Sequence, residues 1–237
     1  MEKKLTGLIA STDRVLVLAP HPDDFDAIGV TLRYLHTRGN PIFVAVVSGS
    51  MSGVLEDFCG PDPEKKRLVR EKEQRDSVQF FGLPDSQLTF LRLPEDATGD
   101  PLEDEHNETV IRQHIAEVRP DIVFLPHGND TNVGHRRVYA IFRRIAVSFD
   151  CRLTAYYVRD PKTKKLRTDL YMGFDEDSAD WKRRLLLHHR SQQDRNLKLR
   201  NHGFDDRILN VNRDIARDLA VSDPYAEAFE IEEFTGR

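Results

Sequence analysis

Cysteine is scarce in this chain. Cys59 and Cys151 are the only two, and neither has a second Cys at metal-binding spacing. At most one disulfide is available, and two reduced thiols without chemistry are expected. Long apolar runs are missing as well. Arg, Asp or Glu interrupts every hydrophobic stretch well short of the roughly 18 to 20 residues that cross a bilayer. Near the start only Leu8-Ile9-Ala10 is continuously apolar, too short for the core of a signal peptide. A cytoplasmic protein with no integral membrane segment is expected. Positive charge is not in excess: 35 Lys and Arg face 40 Asp and Glu, a formal net charge of -5. That leaves no surplus to neutralise a phosphate backbone, so nucleic acid is a poor candidate partner. No internal repeat, low-complexity tract or Ser/Gly linker divides the chain.

What is present is a globular composition, 39% hydrophobic and 32% charged over 237 residues. This is too apolar for a disordered chain and consistent with one domain over residues 1–237. Val15-Leu16-Val17-Leu18 is a short aliphatic run of the kind found in strands buried on both faces. A helical pattern follows from about Asp26 to Arg38, stopped by Gly39-Asn40-Pro41, and then a second apolar strand, Ile42 to Val47. The alternation continues. Helices are predicted over 64–81, 107–118 and 136–148, and strands over 88–93, 121–125 and 153–158. Strands alternating with helices of this length imply right-handed crossovers and an α/β fold, a Rossmann-like, mostly parallel sheet with helices on both faces. That core spans about 12–158. Beyond it, a C-terminal extension over 159–237 carries a strand near 166–172, two helical stretches and a final acidic, alternating segment, 226–234, predicted as an edge strand.

The chemistry-bearing residues fall in two loops. Pro20-His21-Pro22-Asp23-Asp24 follows the first strand directly, and a His and an Asp three apart around a tight turn can converge on one cation. A helix cap is the competing reading, although a cap needs only one of the two Asp. The second loop, His127 to His135, follows the strand ending at Leu125. In doubly wound sheets the fourth strand commonly lies beside the first, and ligands bind in the crevice outside their carboxyl ends, so His21 and His135 are expected to meet there. Composition and spacing stop at a divalent metal site of two His and one Asp, open to water as catalytic zinc sites are. They do not name a reaction. The same donor set can hold Fe(II) in an oxygenase. No Gly-x-Gly-x-x-Gly follows the first strand, which counts against a dinucleotide enzyme.

The stretch Val17-Leu18-Ala19-Pro20-His21-Pro22-Asp23-Asp24, then Arg70-Glu71-Lys72-Glu73 before Phe81-Gly82-Leu83, then Arg119-Pro120-Asp121 leading to Asp130 and His135, resembles the LmbE/PIG-L family of N-acetylglucosaminyl deacetylases. The resemblance covers Arg14 to about Tyr139, with an echo at His189-Arg190-Ser191-Gln192. It implies one Zn2+ or other divalent metal held by His21, Asp24 and His135, with Asp23 as general base. It implies a zinc-dependent hydrolase that removes an N-acetyl group from an N-acetylglucosamine-type sugar or its conjugate. Arg70 aligns with a substrate-facing arginine, against which stands a surface salt bridge to Glu73. Asp96 falls where relatives place a sugar-binding acid, against a solvated loop. His189 matches a histidine that stabilises the tetrahedral intermediate, against a packed, hydrogen-bonded core residue. Two departures stand out. Phe25 follows the tetrad where many relatives have Glu, and Asn132-Val133-Gly134-His135 replaces their His-x-Asp-His. Asn132 can donate to an oxyanion but cannot shuttle a proton, so the alternative to an active enzyme is an impaired metal-binding or ligand-binding module. The loops Ser50 to Asp62 and Arg159 to Leu166 are expected to select the small-molecule substrate. Relatives include trimers and hexamers, which places a homo-oligomer among the expected states.

Overall fold

A computed structural model describes residues 3–235. The outermost two residues at each end of the expected 1–237 domain lie outside that range. In chain order the elements are β1 (Lys3–Lys4), β2 (Val15–Ala19), α1 (Gly29–Thr37), β3 (Ile42–Val46), α2 (Glu56–Cys59), α3 (Pro63–Phe81), β4 (Leu88–Phe90), α4 (Glu105–Val118), β5 (Ile122–Pro126), α5 (Val133–Val147), β6 (Leu153–Val158), β7 (Leu170–Phe174), α6 (Glu176–Leu186), α7 (Arg190–Arg200), α8 (Phe204–Asp218) and β8 (Tyr225–Phe234).

All eight strands form one sheet in the order β1-β7-β8-β6-β5-β2-β3-β4. From β4 through β6 every pairing is parallel, and β8 runs antiparallel between β6 and β7. The strand pleat sorts the core. Val15, Val17 and Ala19 join the cluster with Leu32, Leu35, Val78 and Leu185, contributed by α1, α3 and α6. Leu16 and Leu18 face the other way, onto Ile111, Ile115, Val138 and Phe142 of α4 and α5. A continuous aliphatic run is therefore needed in β2, because both of its faces are covered.

Two expectations change here. The acidic tail is not an edge strand: β8 lies inside the sheet, with Phe229 and Ala226 fully buried. Its alternation reads as half-exposed because Glu230, Glu232 and Glu233 interrupt the apolar series. Glu232 accepts from Tyr157 Oη at 2.5 Å, and Glu230 accepts from the Arg167 backbone N at 2.9 Å. The extension after β6 also contains three helices rather than two, since Leu187 to His189 break the first stretch into α6 and α7. It completes the sheet instead of hanging from it. Cys59 and Cys151 are both free.

Candidate metal centre

Adjacent parallel strands β2 and β5 end side by side, and their following loops converge as the strand order predicts. After β2 the chain makes an unusual turn. Asp24 caps no helix; its Oδ2 folds back to accept from the His21 backbone N at 2.8 Å. Asp23 takes a positive φ of 112°. Strain of this kind costs on the order of 1–3 kcal/mol and persists only where neighbours hold it. Here α3 does so. Gln74 Oε1 accepts from Asp23 N at 2.9 Å, and Arg70 Nη2 donates to the Pro22 carbonyl and to Asp23 Oδ2 at 3.1 Å.

The second loop delivers His135 from the first turn of α5. Asn132 caps that helix, its Oδ1 accepting from His135 N at 3.3 Å. His21 and His135 have ring centroids 5.3 Å apart. Asp24 Oδ1 lies 3.3 Å from His135 Nε2, and Asp24 Oδ2 lies 3.5 Å from His21 Nδ1. One ligand atom from each of the three falls within 4.8 Å of the others. His135 Nε2 is buried without a hydrogen-bond partner among the described residues. Two imidazole nitrogens and one carboxylate, with an orphaned buried nitrogen aimed between them, fit a divalent cation. The other ring nitrogen, Nδ1, meets Asp130 Oδ2 and Asp160 Oδ2, each at 3.1 Å. Carboxylates behind a ligating histidine orient the ring and raise its basicity.

The charges agree with this arrangement. Burial alone would raise the Asp24 carboxyl, but His135 and His21 outweigh it and hold it well below the usual range. Burial would lower the His135 imidazole, yet Asp24, Asp160 and Asp130 push it well above its ordinary value.

Gly134 is required where it stands. A Cβ there would come within 2.7 Å of His21 Nε2 and 2.9 Å of Asp100 Oδ1. Asp100 Oδ1 accepts from Gly134 N at 3.0 Å and lies 3.9 Å from His21 Nε2. A carboxylate from another loop therefore stands beside Gly134 and His21.

The remaining predicted residues divide. Arg70 does not pair with Glu73. It is 1% exposed, and its Nε and Nη1 lack partners among the described residues. Glu73 instead accepts from Ser191 N and Oγ at 2.6 and 2.7 Å. Asn132 lines the cleft, with its Oδ1 engaged on His135. Asp96 does not line it. Its carboxylate is spent on Arg137 and on Thr98, ordering the turn that presents Asp100. His189 is fully buried, its Nε2 2.7 Å from Asp26 Oδ2. Gln74 Nε2 donates to the same oxygen at 3.1 Å, so His189, Asp26 and Gln74 form a chain ending at Asp23 N. The carboxylate in this chain is Asp26, next to the buried Phe25.

Sequence reasoning missed Asp26, Gln74, Asp100 and Asp160 as members of this network. For Asp160 a signal existed: it lies two residues past β6, the strand next to β5. For Asp100 none did, because a loop far off in the chain carries it to Gly134. A larger hollow of about 820 Å3 lies at the amino ends of the strands, beside Asp13, Tyr156 and Asp169. Its Arg167 and Arg152 are paired with Asp169 and Glu233.

The structure thus describes an α/β chain with an open His/Asp/His group at the switch point of a mostly parallel sheet. A family model described as PIG-L, GlcNAc-PI de-N-acetylase, matches residues 16–146, more than half of the sequence, and the chain belongs to this family. Among solved structures, N,N'-diacetylchitobiose deacetylase from Pyrococcus horikoshii has a TM-score of 0.76 at 15% identity, covering 93% of this chain and 84% of that one. The zinc-inhibited form of teicoplanin deacetylase gives 0.70 at 16%, covering 93% and 98%. The 4-carboxy-2-hydroxymuconate hydratase GalB from Pseudomonas putida gives 0.64 at 15%, covering 93% and 95%. At these identities the likeness concerns the fold. No curated protein matches the sequence. Among the described residues no helix is long and apolar enough to cross a membrane.

Proposed function

We propose that this protein is a divalent-metal-dependent hydrolase, with zinc as the metal, that removes an N-acetyl group from an N-acetylglucosamine-type amino sugar or its conjugate. The observation that carries the reading is the convergence of His21, Asp24 and His135 next to a held Asp23 carboxylate. Membership of the PIG-L family supports the reaction class. When bound, a divalent metal at these three residues polarises the amide carbonyl and lowers the pKa of water towards roughly 7.

The chain's own residues supply the rest. Asp23, aimed by Arg70 through Oδ2 and by Gln74 through its backbone, takes the proton of the attacking water and returns it to the departing amine. Water adds to the carbonyl carbon, the C–N bond breaks, and acetate and the amine leave. Asn132 keeps Oδ1 on His135, and its Nδ2 makes no hydrogen bond to a described residue, leaving it to donate to the developing oxyanion. His189 acts at one remove, as a positioning residue whose contact with Asp26 fixes Gln74 and through it Asp23.

Metal analysis of the purified protein, joined to acetate release from a panel of N-acetyl sugars, tests the proposal. Metal-loaded protein should release acetate, and Asp23→Asn should keep its metal while losing about 10² to 10⁴ in turnover. Acetate is the discriminating product, since a hydratase on this fold liberates none. Absence of acetate across the panel, or full activity in Asp23→Asn, would overturn the reading.

A further inference from the structure

The cleft has a second chemical character that the metal ligands do not explain. Asp23, Asp24 and His135 line a cavity of about 120 Å3 together with Lys162, Arg195, Arg200 and Arg207. This cavity adjoins one of about 320 Å3 that holds His21, Ser50, Thr98 and Asn132, since Asp23, Lys162, Gln192 and Arg195 line both. The larger space is rich in hydroxyl and amide groups suited to a sugar. The smaller one is cationic. Arg195 and Arg200 come from α7, Arg207 from α8 across the tight turn at Asn201, and Lys162 from the loop after β6.

In a chain of net charge -5, these cations form no ion pair with a described residue. Arg195 and Arg207 are half-buried, yet among the described residues neither side chain makes a hydrogen bond or an ion pair, and Lys162 makes none either. Arg200 has one long contact, 3.4 Å to Asn196 Oδ1. The nearby carboxylates are engaged elsewhere: Asp23 on Arg70, Asp24 on the two histidines, Asp160 on His135 and on the backbone of Lys162 and Thr163. Arg183, by contrast, is a structural arginine close by in sequence, and it is closed off by Asp205 and Asp206. Burial and mutual repulsion lower the Arg195 and Arg207 guanidiniums, which marks them as groups still short of negative charge. Desolvating cations without partners is unfavourable unless an oxyanion arrives to satisfy them.

We infer that Lys162, Arg195, Arg200 and Arg207 form a subsite for an acidic substituent, a phosphate or a carboxylate, on the N-acetyl sugar. The substrate class is therefore an anionic amino-sugar conjugate rather than a neutral oligosaccharide. The inference rests on the deacetylase reading for the reaction but not for the anion. The forked donors of Arg suit either oxyanion, and the two sources are separated by assay.

The test compares N-acetylglucosamine with its 1-phosphate, its 6-phosphate and a carboxylate-bearing glycoside on metal-loaded protein. Both acetate release and calorimetric binding are read, for wild type and for Arg195→Gln/Arg207→Gln. At least one anionic compound should exceed the neutral sugar in kcat/KM by roughly tenfold or more, and the double variant should erase that ratio mainly through KM. Binding of the anionic compound should weaken with salt in wild type and lose that dependence in the variant. If anionic compounds bind tighter than the neutral sugar but no acetate appears, the subsite stands and the deacetylase reading falls. Equal kcat/KM for neutral and anionic sugars, with the Gln variant unchanged, would overturn the subsite while leaving deacetylation intact.

Discussion

Two buried polar clusters lie within the same fold and keep opposite accounts. Around Lys182 and Glu227, both almost wholly inaccessible, every hydrogen-bonding group is satisfied. Lys182 Nζ donates to Ala27 O, Asn212 Oδ1 and Glu227 Oε1 at 2.6, 2.8 and 2.7 Å, which uses all three of its protons. Glu227 accepts further from Val30 N at 3.2 Å and from Thr31 N at 2.8 Å, tying β8 to the start of α1. Around His21, Asp24 and His135, by contrast, His135 Nε2, Arg70 Nε and Nη1, and His189 Nδ1 make no hydrogen bond to a described residue. His21 and His135 are buried much as Lys182 and Glu227 are, while Asp24 is partly exposed. The cluster that holds the fold together is closed, and the one read as the reaction site is left open for what must bind there.

Breaking each cluster should separate their roles. His135→Ala should give the largest effect, abolishing stoichiometric metal binding and measurable turnover, as elemental analysis and acetate assay would reveal. Lys182→Met strands the Glu227 carboxylate in the core and should cost about 3–5 kcal/mol of stability in urea unfolding, with activity per folded molecule preserved. A loss of activity without loss of stability would erase the distinction between the clusters. Thr31→Val removes one hydroxyl bond to Glu227 and should cost on the order of 1 kcal/mol, with metal affinity unaffected.

The smallest effect concerns Glu71, on the rim of α3. Burial would raise its carboxyl, but Arg92 and Arg67 outweigh that and hold it below the usual range. A depressed folded value contributes stability at pH above the unfolded pKa of about 4.3, and that stability is lost as pH falls through the folded value. Glu71→Gln should therefore lower the plateau near neutrality slightly and flatten the acid limb by the same amount, so that variant and wild type converge at low pH. A wild-type acid limb would remove Glu71 from the closed networks.

The polar face of α3 shows why part of the site escaped the sequence. Arg70, Glu73, Gln74 and Ser77 are buried in a helix whose apolar pattern is weak, and from spacing alone Arg70 and Glu73 read as an exposed pair. Their true partners, Asp23 and Ser191, lie far off in the chain. His189 was equally ambiguous, since Asp26 is distant in sequence and its contact depends on how α7 packs.

The sequence by itself determined the parallel core, because aliphatic runs alternating with amphipathic helices have one economical arrangement, and it determined the meeting of His21, Asp24 and His135, because adjacent parallel strands must bring their following loops together. Only the tertiary structure decided that Asp100 fills the space beside Gly134, that Asp130 and Asp160 back His135, that β8 enters the sheet, and that four cations without a carboxylate partner among the described residues line the cleft. The reason is range. Local periodicity encodes which face of an element is buried, whereas the partner of a buried charge is chosen by elements that meet only once the chain has folded.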